Sequence, residues 1–283
     1  MDLRRRFIFH GNAAAIGGRI VRPVDFIIDS PVSSSLTVAG GRSHAKAEGM
    51  RFGEWVSFAS AETSAEGLFD NVKQQIELSY HRVPQEPVTT TTRVSAEVNG
   101  VSIDDKPRLT MKQVRASMVS TSAAGSGEPS IIIGGDTVIA GAEISGYGLV
   151  VELALDVFEK YDTRSKLMTA ADNPAFVQAS GNSLFMGVPV GRVPPPPEGR
   201  LIQANGTIYA TIVKSITWAG DPFPGATIDQ HTVVVPDFGT IYFGELLITA
   251  SSRRLTMVRL ELGSPTGGDV ALAEVDSNGT WST

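Results

Sequence analysis

The C-terminal part of the chain alternates apolar and polar residues with a period of two, and only a few residues separate one alternating run from the next. Period two is the mark of a half-buried strand. A parallel crossover needs a dozen or more residues between strands, so runs packed this closely pair in sequence and antiparallel. The runs are His231 to Val235, Thr240 to Thr249, Arg254 to Leu262 and Asp269 to Asp276. Pro236-Asp237, Ser251-Ser252 and Gly263-Ser264-Pro265 punctuate them.

Two longer runs precede these. From Gly148 to Tyr161, Leu149, Val151, Leu153, Leu155 and Val157 alternate with Val150, Glu152, Ala154, Asp156 and Phe158, which predicts one long strand. From Gly206 to Trp218, Ile208, Ala210, Ile212, Ile216 and Trp218 share a face interrupted only by Lys214, which predicts another. The N-terminal third gives strands at Arg6 to His10, Val24 to Asp29, Ser35 to Val38 and Phe52 to Ala59. Asn71 to Val83 fits a strand better than a helix. Thr89 to Val98 and Val101 to Asp105 flank Asn99-Gly100, a pair suited to a type I′ hairpin turn.

One segment leaves this pattern. Asp162 or Thr163 caps a helix to about Ala171, and Asn173, Pro174 and Gly181 frame a second helical turn, with Leu167, Met168, Ala171, Phe176 and Val177 as the apolar side. This insertion, around 163–180, is expected to lid one end of a sheet. Pro194 to Pro197 must be extended and serves as a stiff connection. Gly17 to Gly40 and Gly191 to Gly220 share a loose pattern without the fixed period of a repeat.

The fold class that follows is mainly β, an antiparallel β-sandwich with a short helical insertion. It forms either two halves, 1–108 and 109–283, or one continuous domain. Hydrophobic residues at 42% and charged residues at 19% place the chain among those that fold. A net charge of -6, with both signs mixed along the chain, leaves no basic stripe for nucleic acid. The absence of cysteine removes disulfides, thiolate metal sites and thiol nucleophiles, and fits a reducing cytoplasm. Arg4-Arg5-Arg6 resembles the start of a twin-arginine signal, but His10, Gly11 and Asn12 break the apolar stretch such a signal requires, so a cytoplasmic location is expected. No run reaches the roughly 20 apolar residues of a membrane span.

Chemistry-bearing patterns are sparse. The four histidines, at positions 10, 44, 81 and 231, form no paired metal-ligand spacing. Asp229-Gln230-His231 is the nearest approach to a site. On a strand Asp229 and His231 would share a face, and Asp237 would join them across a turn. His81 is a lone candidate base. Asp104 with Asp105 and Glu152 with Asp156 are carboxylate pairs, but the second pair lies about 13 Å apart along a strand, too wide for glycosidase chemistry. No G-x-S-x-G or G-x-G-x-x-G occurs, so the glycines at 134, 135, 141, 146 and 148 are turn and bulge residues. Asn205-Gly206-Thr207 and Asn278-Gly279-Thr280 are expected to be turns. Trp55, Trp218 and Trp281 are too scattered to define a sugar platform.

These readings favour a non-catalytic binding or scaffolding protein. It would engage a protein or peptide partner through a sheet edge or face, self-associate as a homodimer, and need no cofactor. The alternatives are a metal-assisted enzyme around His231 with Asp229, and a carbohydrate-binding sandwich.

Overall fold

The computed structural model describes residues 7–70, 88–103, 107–125, 127–171, 207–263 and 266–281. In chain order the strands are β1 (Phe7–Arg22), β2 (Phe26–Ile28), β3 (Ser33–Ser35), β4 (Gly41–Phe52), β5 (Val56–Phe69), β6 (Thr89–Ile103), β7 (Leu109–Ala123), β8 (Ser130–Ile133), β9 (Val138–Ala140), β10 (Ala142–Ile144) and β11 (Tyr147–Leu153). Helices α1 (Leu155–Lys160) and α2 (Arg164–Ala171) follow. The remaining strands are β12 (Ile208–Thr211), β13 (Val213–Trp218), β14 (Thr227–Asp229), β15 (Thr232–Val235), β16 (Gly239–Ile248), β17 (Ser252–Leu262) and β18 (Gly267–Trp281).

They form two nine-stranded antiparallel sheets. The first runs β14-β15-β16-β17-β18-β1-β2, with β12 on β16 and β3 on β1; the second runs β13-β11-β10-β7-β6-β5-β4, with β8 and β9 on β7. The sheets pack face to face, β1 and β18 against β5, β6 and β7, over one continuous apolar core. This is the antiparallel sandwich with a short helical insertion that the alternation predicts. β1 pairs with β18 from the far end of the chain, and β6 pairs with β7 across residue 108.

The long strands owe their length to a device the sequence pattern hides. In β6, Val94, Ala96 and Val98 face the core, and then Val101 and Ile103 do, so the inward parity switches at Gly100. Gly100 has φ +61 and the pairing register with β5 and β7 is the same on both sides of it. A left-handed residue in mid-strand reverses the side-chain phase without ending the ladder, and glycine adopts that conformation without steric cost. The same level carries Gly49 in β4 and Gly141 between β9 and β10, at φ +63 and +62. The first sheet repeats the device at Gly244 in β16, φ +61, and Ala273 in β18, φ +50. Inward parity there passes from Phe243 to Leu246, from Leu255 to Val258 and from Leu272 to Ala273.

Several expectations are corrected by this arrangement. Asn99-Gly100 is not a hairpin turn: the positive φ it supplies serves the phase switch, and β6 continues through it. The run from Gly148 to Tyr161 is a strand only to Leu153, then becomes α1. Asp156 in its first turn and Lys160 in its last complement the helix dipole. The run from Gly206 to Trp218 is two strands in different sheets. At Ile212 the chain crosses the sandwich, its N–H donating to Gly244 O at 2.9 Å and its carbonyl accepting from Ala154 N at 2.8 Å. Asn278-Gly279-Thr280 lies within β18 and not in a turn. In the N-terminal third, β1 extends well beyond His10, β2 and β3 are shorter than or offset from their expected spans, and Phe52 ends β4, with β5 starting at Val56.

The α2 helix stands where expected. Thr163 Oγ1 accepts from Lys166 N at 3.2 Å as its cap, and Leu167 is fully buried. Asn71 to Val83, His81, Asp104 and Asp105, the turn from Asn173 to Gly181, Pro194 to Pro197 and Asn205 lie outside the described residues. No helix among the described residues is long and apolar enough to cross a membrane.

Candidate functional site

The Asp229, His231 and Asp237 grouping depends on where β14 ends. Asp229 closes β14 opposite Thr232, which leaves Gln230 and His231 as a two-residue turn, with Gln230 at φ +51 and Thr232 Oγ1 donating to Asp229 O at 2.7 Å. The turn sends the side chains apart: Asp229 is exposed, whereas His231 is 1% exposed. Asp237, at φ +63, is also exposed. Among the described residues no three His, Asp or Glu side chains gather where they could hold a metal.

His231 belongs instead to a charged network on the outer face of the first sheet. Its Nε2 lies 3.9 Å from Glu245 Oε1. Arg259 holds Glu245 bidentately at 2.7 and 2.9 Å, donates to Glu261 at 2.5 Å and stacks over the Tyr242 ring at 3.7 Å. The Tyr242 hydroxyl donates to Glu261 at 2.9 Å. Burial pushes Glu245 upward, but the Arg259 hydrogen bonds and then His231 outweigh it and hold the carboxyl below its ordinary range. Burial and Glu261 push the Tyr242 phenol up. A carboxylate kept ionised by a bidentate arginine is poorly matched to proton transfer near neutral pH, so the network ties β15, β16 and β17 together.

His10 and His44 carry pairings at the surface. His10 sits 3.5 Å from Asp276 and 3.1 Å from Asn12, and His44 sits 3.1 Å from Glu62. Glu152 accepts from Ser215 at 3.1 Å, while Asp156 has moved onto α1. Trp55 follows β4 at one edge of the second sheet, Trp218 ends β13 at the other, and Trp281 closes β18 in the first sheet.

A second polar feature lies at the end of the core. Arg253 points inward from β17, is 1% exposed, and donates through Nη2 to Tyr161 O at 3.0 Å, at the C-terminus of α1. Among the described residues Nη1 has no hydrogen-bond partner. Burial lowers the guanidinium to about 10, against the pull of Asp162 and Glu128. Arg253 thus fastens the helical insertion to the first sheet.

Among the described residues, β4 is the longest strand at the end of either sheet. It forms the edge of the second sheet and pairs with β5 alone among the described residues. Three of the remaining terminal strands, β2, β3 and β14, have three residues each, and β13 has six, against twelve in β4. Arg42, His44, Lys46 and Glu48 stand on its exposed outer face, with Ser43, Ala45 and Ala47 on the half-buried inner one. Arg42 pairs with Glu66, and Lys46 with Glu48 at 2.9 Å. From Gly41 to Glu48 the strand has no proline, no inward-pointing charge and no bulge, three of the devices that keep an edge from pairing, and it carries a fourth, the charged outer row with Lys46. The sequence pattern missed β4 because its inward positions are serine and alanine. Its signal was a low-amplitude alternation of charged with small residues.

A family model described as "Domain of unknown function (DUF8256)" matches residues 7–184 and 196–249, most of the chain. No curated protein and no solved structure matches it.

Proposed function

We propose for this chain, which belongs to the DUF8256 family, a non-catalytic binding role in which the β4 edge accepts an extended segment of another polypeptide. The observation that carries this reading is a twelve-residue edge strand that, among the described residues, pairs along one side only and exposes its outer row of side chains. Backbone pairing supplies affinity in such a mode, and alternate side chains supply selectivity. The outer face of β4 adds a mixed-charge pattern, so an incoming segment with acidic residues opposite Arg42 and Lys46 is favoured.

Selection from a displayed library of unstructured peptides, followed by hydrogen exchange of the protein with a selected peptide, tests this. Peptides that protect the amides of residues 41–48 are the expected result. Selected peptides that protect amides elsewhere, or a library that yields no binder, would overturn it.

A further inference from the structure

We infer that the segment seated on β4 is β4 of a second copy, related by a two-fold axis that passes between the two copies of Ala45; this rests on the reading that β4 is a pairing edge. A two-fold axis perpendicular to the sheet sets every residue against one on the same face, so one residue must face its own copy across the axis. Charge and backbone conformation then choose the residue. An axis at Lys46 puts that lysine against itself, and one at His44 puts Arg42 against Lys46. An axis at Ala47 carries the pairing through Gly49, where φ is +63 and the side-chain phase reverses.

An axis at Ala45 avoids all three. Arg42 meets Glu48 of the second copy, twice by symmetry, Ser43 meets Ala47, and Gly41 meets Gly49. His44, which also sits 3.1 Å from Glu62 of its own chain, meets Lys46. The paired stretch ends where the regular part of β4 ends, at Gly49. Every inward residue in it is serine or alanine, so neither copy has to bury a large or charged side chain to close the contact. The product is a continuous sheet running through both molecules, and β4 ceases to be an open edge.

Sedimentation of the full chain over a range of concentrations is the test. The expected result is a species of twice the 30.0 kDa chain mass, with the amides of 41–49 protected only where that species is populated. Arg42→Glu should raise the dissociation constant about tenfold or more, since two opposed pairs change sign together. The same loss is expected from Glu48→Arg, and Arg42→Glu with Glu48→Arg should restore association, each variant being checked for an unchanged β circular dichroism spectrum. A chain that stays monomeric overturns the inference, as does a dimer indifferent to Arg42→Glu or one lacking protection at 41–49. If the monomer nonetheless gains protection at β4 from a selected peptide, the self-pairing fails alone. If β4 is protected under neither condition, the edge-binding role fails with it.

Discussion

Arg253 and Arg259 lie on the same strand, six residues apart, an even spacing that on an uninterrupted strand would put both on one face. Yet Arg253 is buried at the end of the core with, among the described residues, one carbonyl partner, whereas Arg259 stands on the outer face against two carboxylates and an aromatic ring. The phase switch between Leu255 and Val258 separates them. Burial lowers Arg253 to about 10; burial also acts on Arg259, but Glu245 and Glu261 outweigh it and raise its pKa. The same side chain on the same strand is thus a desolvated tether in one place and the centre of a satisfied network in the other. Parity alone decides which.

The sharpest way to break this comparison is to remove the switch itself. Gly244 has φ +61, and a Cβ there would meet Ile212 Cγ1 at 2.7 Å. Gly244→Val should therefore cost about 2–5 kcal/mol from left-handed strain and overpacking, read as a lowered denaturation midpoint in urea. A loss under 1 kcal/mol, on the same scale of single-site effects, would mean that the switch does not depend on this glycine.

Next in size is the contrast between the two arginines. Arg259→Met leaves Glu245 and Glu261 without their cation and should cost about 3 kcal/mol. Arg253→Met removes a buried charge with little to satisfy it and should change stability by no more than about 1 kcal/mol. Equal losses in the two variants, measured by chemical denaturation, would show that their surroundings do not differ in energy as the geometry implies.

The smallest effect concerns pH. Glu245 sits below its ordinary value of 4.5, so its contribution is fully present above that value and is lost as pH falls through the lower folded-state value. Glu245→Gln should flatten the dependence of stability on pH in that acid window and leave the slope above it unchanged. An unaltered acid slope would place the pH sensitivity in other carboxylates, such as Glu97, Asp136 or Asp162, whose values are also lowered.

The residues that misled are those near the switches and crossings. Gly100 carried the right conformational signal, a positive φ, but a turn and a mid-strand phase reversal ask the same thing of a glycine. Leu155 and Val157 kept strand alternation into α1 because six residues are too few to display a helical period. Asp229 and His231 have strand spacing, but the two-residue turn beginning at Gln230 separates them, and what His231 meets, Glu245, is fourteen residues away and could not be paired with it from spacing. The candidate edge β4 was missed because alanine and serine give alternation little amplitude.

Taken alone, the chain's alternating pattern and short connections determined the class: antiparallel strands, two covered faces and a helical interruption capped at Asp162 or Thr163. Those are local properties, set by side-chain direction and backbone propensity within a few residues. Only the tertiary structure decided which sheet each strand joins, where parity reverses, which arginine is buried and which edge is left open. Each of these depends on strands brought together from distant parts of the chain, as β1 meets β18 and Ile212 meets Gly244, and no local window contains both partners.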